Sequence, residues 1–149
     1  MKFTVIAVGT LKERFWADAC AEYVKRLRPY APTEVIEIPD TTREREADPV
    51  LRAIAGRTSR ARVVLLAIDG KQRSSESLSQ RIDELGLSGT GEIVFVIGGS
   101  DGVAESVRAR ADETLSFGPL TLPHNLARVV LLEQLYRACK ISRGEPYHK

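Results

Sequence analysis

The chain has 149 residues, 43% of them hydrophobic and 28% charged, which suits a single globular domain over residues 1–149 with a core of its own. Its 22 Lys and Arg stand against 20 Asp and Glu, so the overall charge of +2 does not by itself point to nucleic acid. No run approaches the ~18 apolar residues of a membrane span, and the apolar start Met1–Gly9 is too short for a secretory leader. The expectation is a cytoplasmic protein with no membrane partner.

In chain order, Lys2–Val8 reads as a strand. Leu11, Phe15, Trp16, Ala19, Cys20, Tyr23 and Leu27 then recur at helical spacing and predict an amphipathic helix that stops before Pro29. Glu34–Ile38 is a short strand. The charge-mixed stretch Thr41–Ala47 reads as a loop, and Asp48-Pro49 as the cap and first residue of a helix through Ala55. Arg62–Ile68 is a near-continuous apolar run, the pattern of a parallel strand covered on both faces. Leu78, Ile82 and Leu85 mark a helix ending near Gly86. Glu92–Ile97 is another buried strand, followed by a short helix over Val103–Ala111 and a short strand over Thr114–Phe117. Pro123–Ile141 is the longest helix, with Leu126, Val129, Val130, Leu132, Tyr136 and Cys139 on its apolar side. The alternation of strand and helix predicts an α/β fold, a largely parallel sheet flanked by helices.

Four segments can carry chemistry. Ile97-Gly98-Gly99-Ser100-Asp101-Gly102 follows a strand and opens a helix. Its glycines let a ligand approach the backbone, but the spacing fits neither a dinucleotide fingerprint nor a Walker A loop, and Asp-Gly is also a common turn pair. Phe117-Gly118-Pro119-Leu120-Thr121-Leu122-Pro123 is apolar and rich in exposed backbone, which suits a neutral aromatic ligand such as adenine; a plain bend fits it as well. His124, Asn125 and Arg128 open the last helix. Arg128 there opposes the helix dipole, which an anionic partner or a local salt bridge would offset. The tail Glu145-Pro146-Tyr147-His148-Lys149 combines a stacking ring, an imidazole and a cation, a nucleic-acid-binding set, although disorder is the default for a terminus. From Arg137 to Lys149, four basic residues face one acid. Cys20 and Cys139 have no CxxC partner and no histidine at metal spacing, so they read as small core residues, with no metal and no disulfide.

Together these segments are more specific than any one alone. With Ala7-Val8-Gly9, Tyr23–Arg28, Ile97-Gly98-Gly99, Gly102, Leu115-Ser116-Phe117, Thr121-Leu122-Pro123-His124, Arg128-Val129, Glu133–Ala138 and Pro146-Tyr147-His148-Lys149, the whole chain resembles the RlmH family. These are bacterial large-subunit ribosomal RNA pseudouridine N3-methyltransferases of the SPOUT (α/β-knot) superfamily. The resemblance implies a C-terminal trefoil knot, which topology rules alone would not suggest. It also implies S-adenosylmethionine (S-adenosyl-L-methionine) as cofactor, a homodimer with the last helix near its interface, and a target in 23S-type RNA. A chain this small has little surface for choosing one nucleotide, so the assembled ribosome is expected to supply much of the specificity. By position, Leu66, Gly98, Phe117, Gly118, Pro119, Leu120, Thr121 and Leu122 would hold the cofactor. His124, Arg128, Tyr147 and His148 would be the catalytic polar groups facing the RNA, and Arg143 and Lys149 would contact phosphate. His148 and His124 are both candidates for the base that removes the N3 proton. Two further functions stay in view: another SPOUT methyltransferase acting on transfer RNA or a different ribosomal site, and a non-catalytic ribosome-associated factor. Without the resemblance, a flavodoxin-like nucleotide-binding domain would come first.

Overall fold

The computed structural model describes residues 1–149. Strands and helices alternate throughout: β1 (Lys2–Val8), α1 (Arg14–Leu27), β2 (Thr33–Ile38), α2 (Arg43–Ala55), β3 (Ala61–Leu66), α3 (Ser75–Leu87), β4 (Glu92–Ile97), α4 (Glu105–Arg110), β5 (Glu113–Leu115) and α5 (His124–Ser142). The strands form one all-parallel sheet in the order β2-β1-β4-β3-β5.

Strand alternation builds two cores from one sheet. On β4, Ile93, Phe95 and Ile97 point to the layer of α1, α3 and α5, while Val94 and Val96 point to α2 and α4. Both faces are covered, so every residue of β4 is buried and the strand is apolar from Ile93 to Ile97; the one charged residue, Glu92 at its start, accepts from the Thr4 hydroxyl. α5 lies between α1 and α3. Its Leu131, Leu132, Leu135 and Ala138 are fully buried, each large side chain among them contributing roughly 1.5–3 kcal/mol by leaving water.

The second helix differs from the sequence expectation. It starts at Arg43, inside the stretch read as a loop, and Pro49 lies in its interior instead of at its first residue. Thr42 is the N-cap: its hydroxyl accepts from the Arg45 N–H, and the buried Glu46 carboxylate accepts from the Thr41 N–H at 2.8 Å. The acid is displaced by one residue from the Thr-x-x-Glu spacing of a capping box, so the start is hidden in the sequence. Thr42→Ala should cost about 1 kcal/mol in urea unfolding.

Other boundaries moved by one to three residues: α1 starts at Arg14, so Leu11 precedes the helix. β3 starts at Ala61 and ends at Leu66; Ala67 still donates to Leu115 O, and the chain then turns, leaving Ile68 exposed. Phe15 was expected on the apolar face of α1, but it is 63% exposed, with its ring beside that of Trp16, centroids 4.9 Å apart.

β5 is short and is held partly by charge. Glu113 accepts from Arg81 of α3 and from Arg62 of β3, at 2.6 and 2.7 Å. Bonding to Arg81, aided by Arg62 and opposed by burial, holds its carboxyl below the ordinary value of 4.5. A depressed folded-state value gives stability that is present above the ordinary value and is lost as pH falls through the folded one. Glu113→Gln should therefore lower stability at pH 7, and its deficit relative to the native chain should shrink as pH is taken well below 4.5, read by urea unfolding at each pH.

Candidate active site

The carboxyl ends of β3, β4 and β5 meet the start of α5 around a cleft of 840 Å³. Eleven of its 21 lining residues are hydrophobic, and the size falls within the range of small-molecule sites. Three connections form its walls: Leu65–Asp69 after β3, Ile97–Val103 after β4, and the segment from Leu115 to Ala127.

Gly98 sits where only glycine fits. A Cβ there would lie 2.8 Å from Val103 Cγ1 and 2.9 Å from Gly102 O, so the loop folds back on itself without room for a side chain. The 116–123 segment is tied at its start. The Ser116 N–H donates to Lys71 O, its hydroxyl donates to Ile68 O at 2.8 Å, and it accepts from the Gly118 N–H at 3.0 Å. Gly118 has φ +104°, a left-handed conformation open to glycine. On either side of it, the N–H groups of Phe117, Leu120, Thr121 and Leu122 donate to no backbone carbonyl of the chain. Such donors facing a cleft are free to bind a ligand.

His124 opens α5 and lines the cleft, with its ring against Gly9 at the end of β1; a Cβ on Gly9 would lie 3.2 Å from the imidazole Nε2. Arg128, one turn on, does not face outward as expected. It is 2% exposed, with Nη1 donating to Glu37 at 2.7 Å and Nη2 to Gly9 O at 3.0 Å. The local salt bridge, not an external anion, offsets its unfavourable place in the helix dipole.

Seven of the eight residues expected at the cofactor line the cleft: Leu66, Gly98, Phe117, Gly118, Leu120, Thr121 and Leu122; Pro119 does not. Tyr147 and His148 lie elsewhere. The tail is folded back on α5 and not left loose: Tyr147 meets Tyr136 edge-on at 4.8 Å beneath the Arg137 guanidinium, and burial raises its phenol above the ordinary value. His148 Nδ1 is 3.1 Å from Arg137 Nη1, and its Nε2 pairs with Glu76 at the start of α3. Glu145 binds Lys140 and Tyr30. Arg143 and Lys149 are exposed, Arg143 above the Tyr30 ring. Burial pushes the Cys139 thiol up to about 11, which leaves it inert. No cluster of His, Cys, Asp and Glu is arranged for a metal ion, and no helix is long and apolar enough to cross a membrane.

Sequence reasoning missed Asp69 and Arg108 as lining residues. Asp69-Gly70 was visible as a chain break, but nothing marked its direction. Arg108 looks like any surface cation on a short helix.

A parallel sheet with an apolar, backbone-rich cleft at its carboxyl ends defines an α/β ligand-binding protein. A family model described as predicted SPOUT methyltransferase matches residues 1–148. The chain is 46% identical to the ribosomal RNA large subunit methyltransferase H of Bacillus cytotoxicus and 45% identical to that of Bacillus thuringiensis, with all of both chains covered in each case. A solved structure described as a probable methylase family protein from Haemophilus influenzae Rd KW20 matches with a TM-score of 0.62 at 11% identity, over 99% of this chain and 70% of that one; it speaks to the fold alone. The chain belongs to the SPOUT methyltransferase family, within its large-subunit ribosomal RNA methyltransferase H (RlmH) group.

Proposed function

We propose that this chain methylates N3 of a pseudouridine in large-subunit ribosomal RNA, on the assembled ribosome, with S-adenosylmethionine as donor. The observation that carries the cofactor assignment is the 116–123 segment: unpaired backbone N–H groups beside apolar side chains, on a cleft large enough for an adenosyl ligand. The names of the full-length relatives support the RNA assignment.

Bound S-adenosylmethionine supplies a methyl group already activated on its sulfonium. The chain's own residues then have three tasks. The Phe117 and Leu122 side chains and the amides between them hold the adenine, and the apolar lining keeps water away. Positioning of the target nitrogen lowers the barrier by several kcal/mol or more. An imidazole of the chain would accept the N3 proton of the target base. His124 already lines the cleft. His148 is clasped by Glu76 and Arg137 outside it, and reaches a cleft only when the tail serves a second copy or leaves α3. A homodimer is supported by Leu120, 77% exposed at the cleft, and by Leu126 and Val130, only partly covered on α5. Arg143 and Lys149 stand exposed for phosphate.

If His148 is the base, His148→Ala should abolish transfer while cofactor affinity, read by calorimetry, stays nearly unchanged; if it is His124, the loss should follow His124→Ala instead. Full activity in the His148 variant removes His148 from the mechanism. For the function as a whole, ribosomal RNA from cells lacking this chain should contain no 3-methylpseudouridine by nucleoside mass spectrometry, and the chain supplied in trans should restore it. Its presence without the chain would contradict the assignment.

A further inference from the structure

Apart from His124, the cleft lining carries two ionisable side chains, Asp69 and Arg108, and they pair with each other: Arg108 Nη2 lies 3.4 Å from Asp69 Oδ1. Asp69 sits in the turn after β3 and Arg108 on α4, so the pair ties one wall of the cleft to the helix that follows the glycine loop. The contact is longer than the ~2.7–2.9 Å of a strong charged hydrogen bond. The side chains keep 41% (Arg108) and 74% (Asp69) of their exposure, and neither has another ion-pair partner. An exposed pair of this kind adds little to folding, so each group is available to exchange its partner for a ligand.

We propose that Arg108 and Asp69 clasp the amino-acid end of the cofactor, the guanidinium taking the α-carboxylate and the Asp69 carboxylate taking the α-ammonium. The inference rests on the S-adenosylmethionine reading of the cleft. Adenine and ribose are neutral and suit the apolar, amide-lined wall from Phe117 to Leu122. The methionine end is a zwitterion, and desolvating it without countercharges is costly. No other formally charged side chain lines the cleft, so this pair is the zwitterion's only charged complement there. One weak protein ion pair is exchanged for two with the ligand, and the net charge of the site does not change.

The test compares two ligands that differ only at that end. S-adenosylhomocysteine carries the amino-acid group; methylthioadenosine has the same adenine, ribose and thioether without it. Calorimetric titration of the native chain should give tighter binding of S-adenosylhomocysteine. In Arg108→Gln and in Asp69→Asn, affinity for S-adenosylhomocysteine should fall about 10-fold, with methylthioadenosine changed by about 2-fold or less. Arg108→Lys should recover part of the loss. Both positions are solvent-accessible, and unchanged urea unfolding of each variant will show that the fold is intact. Equal losses for both ligands, or none for either, would overturn the clasp while leaving the cofactor site standing. Retained S-adenosylhomocysteine affinity with weakened ribosome binding would reassign Arg108 to RNA phosphate and also overturn it. If the native chain binds neither ligand, the cofactor reading itself fails.

Discussion

Replacing Arg128 with methionine is expected to lower the unfolding free energy by about 3 kcal/mol. Methionine retains much of the apolar stem and removes the charge, so the result isolates the guanidinium. Two bonds disappear with it, a part-buried one to Glu37 at 2.7 Å and a buried one to Gly9 O at 3.0 Å. Glu37 keeps only the Leu11 N–H, at 3.3 Å, and Gly9 O loses this donor. Glu37 is 38% exposed, so water relieves part of its loss and places the estimate at the low end for a broken buried pair. One guanidinium nitrogen, Nε, is already buried without a partner, which offsets a little of the cost. Because Gly9 backs the His124 ring, the damage should also reach the cleft and slow methyl transfer. A loss below about 1 kcal/mol in urea unfolding would show that the pair is dispensable.

Gly98→Ala is expected to weaken S-adenosylhomocysteine binding about 100-fold, a difference of about 2.7 kcal/mol. The added methyl meets Val103 Cγ1 at 2.8 Å and the Gly102 carbonyl at 2.9 Å. One obstacle is backbone, so rotating a side chain cannot relieve the clash, and the 98–103 loop must move. That loop is one wall of the cleft. Overpacking of this kind costs about 1–3 kcal/mol, and here it falls on the loop that faces the ligand. The fold should survive, because the sheet ends at Ile97. Near-native affinity in the variant would mean that the loop does not shape the cofactor site.

Much of the fold is legible in the sequence because period and position are physical. The apolar run Ile93–Ile97 has the pattern of a strand covered on both faces, and the predicted bounds, Glu92–Ile97, match those observed. The all-parallel sheet follows from strand–helix alternation. The start of α2 was not legible, because Thr42 caps with an acid one residue out of step and a helix accommodates Pro49 in its interior. Phe15 fits the apolar spacing of α1 and is nevertheless exposed, since spacing gives a face but not what covers it. At the site, the glycine loop and the 117–122 segment were visible as loops following strands, and they do line one cleft. Spacing could not show that Arg128 turns inward to Glu37, because that partner lies 91 residues away. Nor could it place Asp69 opposite Arg108, a contact made only when β3 and α4 are brought together.

This cleft is expected to deliver a methyl group to ribosomal RNA. The most direct test is transfer of labelled methyl from S-adenosylmethionine to unmodified bacterial ribosomes, with naked ribosomal RNA in parallel and Gly98→Ala as the impaired-cleft control. Label is expected on the intact ribosome, little on naked RNA, with a large loss for the Gly98 variant. No label on either substrate from a native chain that binds the cofactor, or full transfer by Gly98→Ala, would contradict that role for the cleft.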